Sequence, residues 1–123
     1  MSSLRVYYNP ACSKCRELRA LLEQRGVAFE TVAYLETPPS VEELLDVARK
    51  LGGSPLQLVR VKDEAFASSG LSANSSAREV AEALAKSPRL LERPIVVDGE
   101  RALVARPAET VLALRASEGE ESA

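Results

Sequence analysis

The feature that most constrains this chain is a pair of cysteines, Cys12 and Cys15, placed where a short apolar run gives way to a helical pattern. Residues 4–8 predict a β-strand, and Asn9-Pro10 predicts the turn that ends it. Behind the turn, leucines recur at the spacing of one helix face. These leucines are Leu18, Leu21 and Leu22. Cys12 is therefore expected between a strand and the start of a helix.

This position favours a reactive sulfur at Cys12. The first backbone N–H groups of a helix have no partner within the helix, and the helix dipole is positive at this end. Both effects stabilise an anion, so they lower the pKa of a cysteine placed there. We therefore interpret Cys12 as a nucleophilic thiolate.

The spacing of Cys12 and Cys15 adds a second indication. A CxxC pair near a β-α-β pattern is typical of thiol redox chemistry, and three residues at a helix start bring two cysteines within reach of a disulfide. A disulfide that closes so short a loop constrains the unfolded chain very little, which argues against a stabilising role. Cys15 also falls in line with Leu18 and Leu22, so a small buried core residue is the alternative.

The middle of the chain predicts one strand followed by helices. Residues 27–34 alternate as in a strand of a largely covered sheet. Two prolines at 38 and 39 make a stiff connector. Residues of about 40–87 then predict an all-helical insert, because two capping-box patterns precede runs of helical periodicity. The capping pairs are Ser40 with Glu43 and Ser76 with Glu79.

The remaining elements complete a sheet. Residues 95–97 and 101–105 predict two strands joined by a hairpin turn at Asp98-Gly99, and Pro107 predicts the start of a closing helix. The order indicates an α/β fold with a mixed four-stranded sheet, as in thioredoxin-like proteins. We expect a single domain over residues 1–116 with a flexible acidic tail at 117–123.

Composition argues against several classes of function. The formal net charge of −2 gives no electrostatic footprint for nucleic acid. No apolar run reaches the length of a membrane span and the N-terminus lacks a signal-peptide layout, so we expect a cytoplasmic protein with no membrane partner. Without histidine the chain lacks the commonest metal ligand, and we expect neither a metal nor a bound cofactor.

Three arginines are candidates for binding an anion. Arg60 follows an apolar pair, Arg93 precedes Pro94 and Arg106 precedes Pro107. Arg93 and Arg106 flank the predicted hairpin strands, and the Arg93-Pro94 bond stands where a cis peptide is allowed. From spacing alone, each arginine is more simply a solvated surface residue.

Five stretches of the chain resemble the arsenate reductase family that works with glutathione and glutaredoxin, and they occur in family order. They are Tyr7-Tyr8-Asn9-Pro10-Ala11-Cys12, Tyr34-Leu35-Glu36-Thr37-Pro38-Pro39, Leu58-Val59-Arg60, Leu91-Glu92-Arg93-Pro94-Ile95-Val96-Val97 and Ala105-Arg106-Pro107. The resemblance implies a thioredoxin-like core with a helical insert and Cys12 as the nucleophile. It also implies an oxyanion site, formed by Arg60, Arg93 and Arg106. The residues expected to support this site are Asn9, Ser13, Lys14 and Pro94.

The resemblance also implies a mechanism and its partners. The thiolate attacks the arsenic of arsenate, glutathione attacks the adduct, arsenite leaves, and glutaredoxin or thioredoxin clears the remaining disulfide. Two departures from known relatives matter. Tyr8 stands where relatives carry a histidine, so activation of Cys12 has to rest on the arginines, the helix start and Lys14. Cys15 stands where they commonly carry a hydroxyl residue, and a thiol there could resolve the Cys12 adduct internally.

Two other functions compete with this interpretation. One is a redox-sensing regulator similar to Spx, which shares the fold and the CxxC position and binds RNA polymerase. The other is a general thiol-disulfide oxidoreductase that uses Cys12 and Cys15 and needs none of the arginines.

Overall fold

The computed structural model describes residues 4–106 and 108–112. The chain divides into two compact units. The first is formed by the chain before Ala33 and after Glu92, and the second is Ala33–Glu92. The single domain predicted over residues 1–116 stays a prediction, and so does the flexible tail at 117–123, which lies outside the described residues.

The first unit is built on a four-stranded sheet in the order β2-β1-β3-β4. Its strands are β1 (Leu4–Tyr7), β2 (Phe29–Val32), β3 (Ile95–Asp98) and β4 (Arg101–Val104). β1 pairs in parallel with β2 and antiparallel with β3, and β3 pairs antiparallel with β4. The predicted α/β fold with a mixed, thioredoxin-like sheet is therefore confirmed.

Helix α1 (Ser13–Gln24) connects β1 to β2. It ends at Gln24, and Gly26 follows the C-cap residue Arg25 with a φ of +66°, in the left-handed region that suits glycine after a helix end. Its buried residues are Cys15, Leu18 and Leu22, which pack in one apolar cluster with Val6 and Val96 of the central strands. This cluster holds the start of α1 against the sheet.

Two details of the predicted strands are wrong. The strand predicted over residues 27–34 is shorter and lies at the edge of the sheet, where Glu30 and Thr31 are exposed. An edge strand has a neighbour on one side only, so it is not the largely covered strand that the alternation predicted. The hairpin turn is shifted by one residue, because Asp98 still pairs with Arg101 and Gly99, at φ +62°, begins the turn.

The second unit contains two α-helices that pack together, α2 (Val41–Leu51) and α3 (Ala77–Lys86). The Ser40 hydroxyl oxygen accepts from Glu43 N at 3.1 Å at the start of α2, and Ser76 with Glu79 forms a complete capping box before α3. Short 3-10 turns occupy Pro55–Leu58, Glu64–Phe66 and Pro88–Leu90. The predicted helical insert at about 40–87 falls within this unit, which also contains an antiparallel bridge between Val59 and Leu91.

A 3-10 turn spans Ala108–Val111, and the rest of the helix predicted from Pro107 lies outside the described residues. Among the described helices, none has the length and apolar character needed to cross a membrane.

Candidate active site

The turn between β1 and α1 is held by Asn9. The N–H of Cys12 donates to the Asn9 carbonyl oxygen at 2.9 Å, and the N–H of Ala11 donates to the Asn9 side-chain oxygen at 3.0 Å. Cys12 is the N-cap of α1, with φ −91° and ψ 123°, and its carbonyl oxygen accepts from Arg16 N at 3.1 Å. The sulfur of Cys12 is thereby fixed beside the first N–H groups of the helix.

Cys12 is a buried residue, only 8% exposed, and its surroundings favour the thiolate. Burial raises the pKa of Cys12, because a charge is less stable away from water. The N–H of Cys15, the charge of Arg93, the Cys15 thiol and the N–H of Lys14 act in the opposite direction. Their combined effect is larger, so the pKa of Cys12 lies below the ordinary 9.0 of a cysteine.

Cys15 has the opposite character. Its side chain is 0% exposed, and burial, together with the smaller effect of the negative charge of Cys12, raises the pKa of its thiol to about 12. The N–H of Asn9 donates to the Cys15 sulfur at 3.5 Å and, like the charge of Arg93, lowers that pKa. Cys15 is a buried core residue next to Cys12, and its role as a redox partner stays a prediction.

Two of the three predicted arginines lie together in the first unit. The Nε and Nη1 atoms of Arg93 are buried, and the charge of Arg93 acts on both cysteines. The Nη1 of Arg106 donates to the carbonyl oxygen of Arg93 at 3.2 Å. The Arg93-Pro94 peptide is cis, and the Pro94 carbonyl oxygen accepts from Ala105 N at 2.9 Å, which joins the segment before β3 to the segment after β4.

Arg60 belongs to the second unit. Its Nη1 lies 3.1 Å from Asp63 Oδ2 and donates to the Arg89 carbonyl oxygen at 3.2 Å. Its N–H donates to the Leu90 carbonyl oxygen at 2.8 Å, which fixes the backbone beside the Val59–Leu91 bridge. The predicted role of Arg60 at an oxyanion site stays a prediction.

Ser13 and Lys14, two of the residues predicted to support the site, are the first two residues of α1. Ser13 is the exposed first residue of α1. Lys14 acts on Cys12 through its backbone N–H, while its Nζ lies 3.8 Å from Glu17 Oε1 in an exposed ion pair. The ammonium group predicted to help activate the sulfur is therefore directed to a carboxylate.

Sequence reasoning missed Arg16. Its Nη1 donates to the Pro10 carbonyl oxygen at 2.9 Å and ties the first turn of α1 to the preceding loop. The available signal was its position four residues after Cys12, one helical turn along the same face.

The arrangement places a nucleophilic thiolate, that of Cys12, within the field of a guanidinium group, that of Arg93. Within residues 4–106 and 108–112, no group of three or more histidine, cysteine, aspartate or glutamate side chains is arranged to hold a metal ion. Thiolate and guanidinium together suit a tetrahedral oxyanion with an electrophilic centre.

Comparison with known proteins places this arrangement in a family. The profile of the ArsC family matches residues 7–114. A protein named arsenate reductase from Neisseria meningitidis serogroup A is 43% identical over 116 residues, which are 93% of this chain and 99% of that protein. A protein of the same name from Haemophilus influenzae is 43% identical over 112 residues, which are 89% of this chain and 97% of that protein. The solved structure of an arsenate reductase from Vibrio cholerae matches with a TM-score of 0.84 at 42% identity. The match covers 90% of this chain and 96% of the Vibrio cholerae chain. By sequence and by fold, this chain belongs to the ArsC family.

Proposed function

We propose that this protein reduces arsenate to arsenite with electrons from thiols and that Cys12 is the nucleophile. The observation that carries the proposal is the lowered pKa of Cys12, at the N-cap of α1 and within the field of Arg93. The names of the relatives from Neisseria meningitidis and Vibrio cholerae support arsenate as the substrate.

The substrate site is proposed to use guanidinium groups. Arsenate is a tetrahedral anion with several charged oxygens, and the planar fork of arginine matches such oxygens with paired hydrogen bonds. Arg93 and Arg106 lie together in the first unit, joined by the bond from Arg106 Nη1 to the Arg93 carbonyl oxygen. We propose Arg60 as a third ligand because the family resemblance assigns it that role.

The reaction proceeds in two exchanges at sulfur. The Cys12 thiolate attacks the arsenic of arsenate, a sulfur–arsenic bond forms, and one oxygen leaves as hydroxide or water. A second thiol, proposed to be glutathione, then attacks the Cys12 sulfur. The sulfur–arsenic bond breaks, its electron pair stays on arsenic, and arsenite leaves. The remaining mixed disulfide is reduced by glutaredoxin or thioredoxin. The cytoplasm is the proposed location, because thiols are kept reduced there.

A general thiol-disulfide oxidoreductase is the second candidate. The adjacent Cys12 and Cys15, with pKa values moved in opposite directions, favour it. It would depend on both cysteines and not on the arginines. An Arg106→Ala variant separates the two, since Arg106 is proposed to bind the oxyanion, whereas of the three arginines only Arg93 lowers the pKa of Cys12. Full disulfide reductase activity in that variant, with no arsenate turnover by the parent, would select the second candidate.

The direct test measures arsenite formed by the purified protein with arsenate, glutathione and glutaredoxin. We expect turnover by the parent and none by Cys12→Ser. Arg25→Ala is the matched control, because this exposed arginine lies at the other end of α1. Absence of arsenite with the parent, or an equal rate with Cys12→Ser, would reject the proposal.

A further inference from the structure

We infer that Cys15 is the resolving thiol of the reaction: it attacks the Cys12 sulfur of the arsenate adduct, expels arsenite and leaves a Cys12–Cys15 disulfide. The inference rests on the proposed function and changes its second step. An internal thiol takes the place of glutathione, and the oxidised protein becomes a substrate for a protein dithiol.

The positions of the two sulfurs support the transfer. Cys12 is the N-cap of α1 and Cys15 is the third residue of that helix. The side chain of each cysteine affects the pKa of the other, so the two sulfurs are neighbours before any substrate arrives. Because Cys15 is 0% exposed, an external thiol has no path to it. The attack of the Cys15 thiol on the Cys12 sulfur is intramolecular and needs no diffusional encounter.

The charges around Cys15 make its reactivity depend on the first step. Burial and then the Cys12 thiolate keep the pKa of Cys15 high, so the resting thiol is neutral and does not compete for arsenate. When Cys12 bonds to arsenic, its sulfur loses the negative charge, which leaves with the displaced hydroxide. Arg93 and the Asn9 N–H remain and stabilise a Cys15 thiolate. Cys15 therefore becomes nucleophilic after the adduct has formed.

The electrons balance within the chain. As the sulfur–sulfur bond forms, the sulfur–arsenic bond breaks, arsenic gains two electrons, and the thiol proton of Cys15 passes to the departing arsenite or to water. A protein dithiol of the thioredoxin or glutaredoxin type then attacks the Cys12 sulfur, the more exposed of the two. Cys15 leaves as a thiolate, and the Asn9 N–H that donates to its sulfur at 3.5 Å stabilises this leaving group.

The test is a single turnover without any external thiol. Fully reduced protein is freed of reductant, mixed with arsenate under anaerobic conditions, and assayed for arsenite and free thiols. We expect about one arsenite per chain and loss of both thiols, because the chain itself supplies the two electrons. Trypsin cleaves after Lys14, so the disulfide would appear as two linked peptides.

Two variants and a second reductant system separate the outcomes. Cys15→Ser should give no arsenite without added thiol, but should form arsenite at a reduced rate that rises with glutathione concentration. The parent should turn over with thioredoxin, thioredoxin reductase and NADPH alone. Arsenite from the parent only when glutathione is added, with no linked peptides, would overturn the inference and leave the proposed function standing.

Failure of the proposed function gives a different pattern. In that case the parent would form no arsenite with any reductant, and the inference would fall with it. Oxidation by diamide would still report whether Cys12 and Cys15 can join, since that reaction needs no arsenate.

Discussion

Arg106 donates from Nη1 to the backbone carbonyl oxygen of Arg93 at 3.2 Å. The bond holds together the two arginines that flank the β3–β4 hairpin, at the end of the sheet where β1 gives way to the Cys12 turn. Both arginine positions thereby lie at the sheet end that carries the Cys12 turn, although they are about 80 to 95 positions from Cys12 in the sequence.

The first prediction concerns Arg106. Arg106→Ala should raise the KM for arsenate roughly ten- to hundredfold, because a hydrogen bond to a charged group contributes about 1.5–3 kcal/mol. Initial rates of arsenite formation over a range of arsenate concentrations measure the change. Arg25→Ala, which removes an exposed arginine from the far end of α1, should leave KM as in the parent. An unchanged KM in Arg106→Ala would remove this residue from the site.

The second prediction concerns the charge of Arg93, which lowers the pKa of Cys12. Arg93→Met should slow alkylation of Cys12 by iodoacetamide near neutral pH roughly tenfold, since one pKa unit changes the thiolate fraction by that factor. Arg93→Lys keeps the charge and should recover part of the rate. Alkylation as fast in Arg93→Met as in the parent would mean that the helix N–H groups alone maintain the thiolate.

Arg60 is the subject of the third prediction. If its guanidinium binds the oxyanion, Arg60→Ala should raise the KM for arsenate roughly tenfold. Arg78→Ala is the control in the second unit, because Arg78 is an exposed arginine of α3. Equal KM values for Arg60→Ala and Arg78→Ala would restrict the oxyanion site to the first unit.

The fourth prediction is a pH dependence of stability caused by Cys15. The pKa of Cys15 is about 12 in the folded chain against an ordinary 9.0, so above pH 9 the unfolded chain loses this proton while the folded chain keeps it. Proton loss therefore favours unfolding, and stability falls as pH rises, at up to roughly 1 kcal/mol per pH unit. The lowered pKa of Cys12 has the opposite effect on the free energy of unfolding. Its stabilising contribution is fully present above pH 9 and is lost as the pH falls through the folded-state pKa.

Urea unfolding of the parent and Cys15→Ala between about pH 9 and 10 measures this effect. The free energy of unfolding should fall more steeply in the parent, so the stability difference between the two proteins should narrow. Parallel slopes would show that Cys15 titrates alike in the folded and unfolded chains.

Much of the fold could be predicted because its signals are local. The CxxC pair, the Asn9-Pro10 turn and the leucine spacing of α1 all lie within one β-turn-α unit. The start of α3 is predicted by Ser76 and Glu79, which form its capping box and are only three residues apart. The edge position of β2 is not local, since it depends on which strands pair with β1. Alternation in the sequence does not distinguish an edge strand from a central one.

The site was less predictable because it depends on contacts between residues that are far apart in the sequence. Arg93 and Arg106 lie side by side only because of the β3–β4 register. The ammonium group of Lys14, which is close to Cys12 in the sequence, forms an ion pair with Glu17 instead. The opposite pKa directions of Cys12 and Cys15 depend on burial, which their spacing leaves open.

The most direct test of the central claim is a pH titration of the Cys12 thiolate, followed by its ultraviolet absorbance in the reduced protein. Cys12→Ser provides the matched reference that identifies the signal. The account predicts a midpoint clearly below the ordinary 9.0 of a cysteine, absent in Cys12→Ser. A midpoint at or above 9.0 in the parent would contradict it.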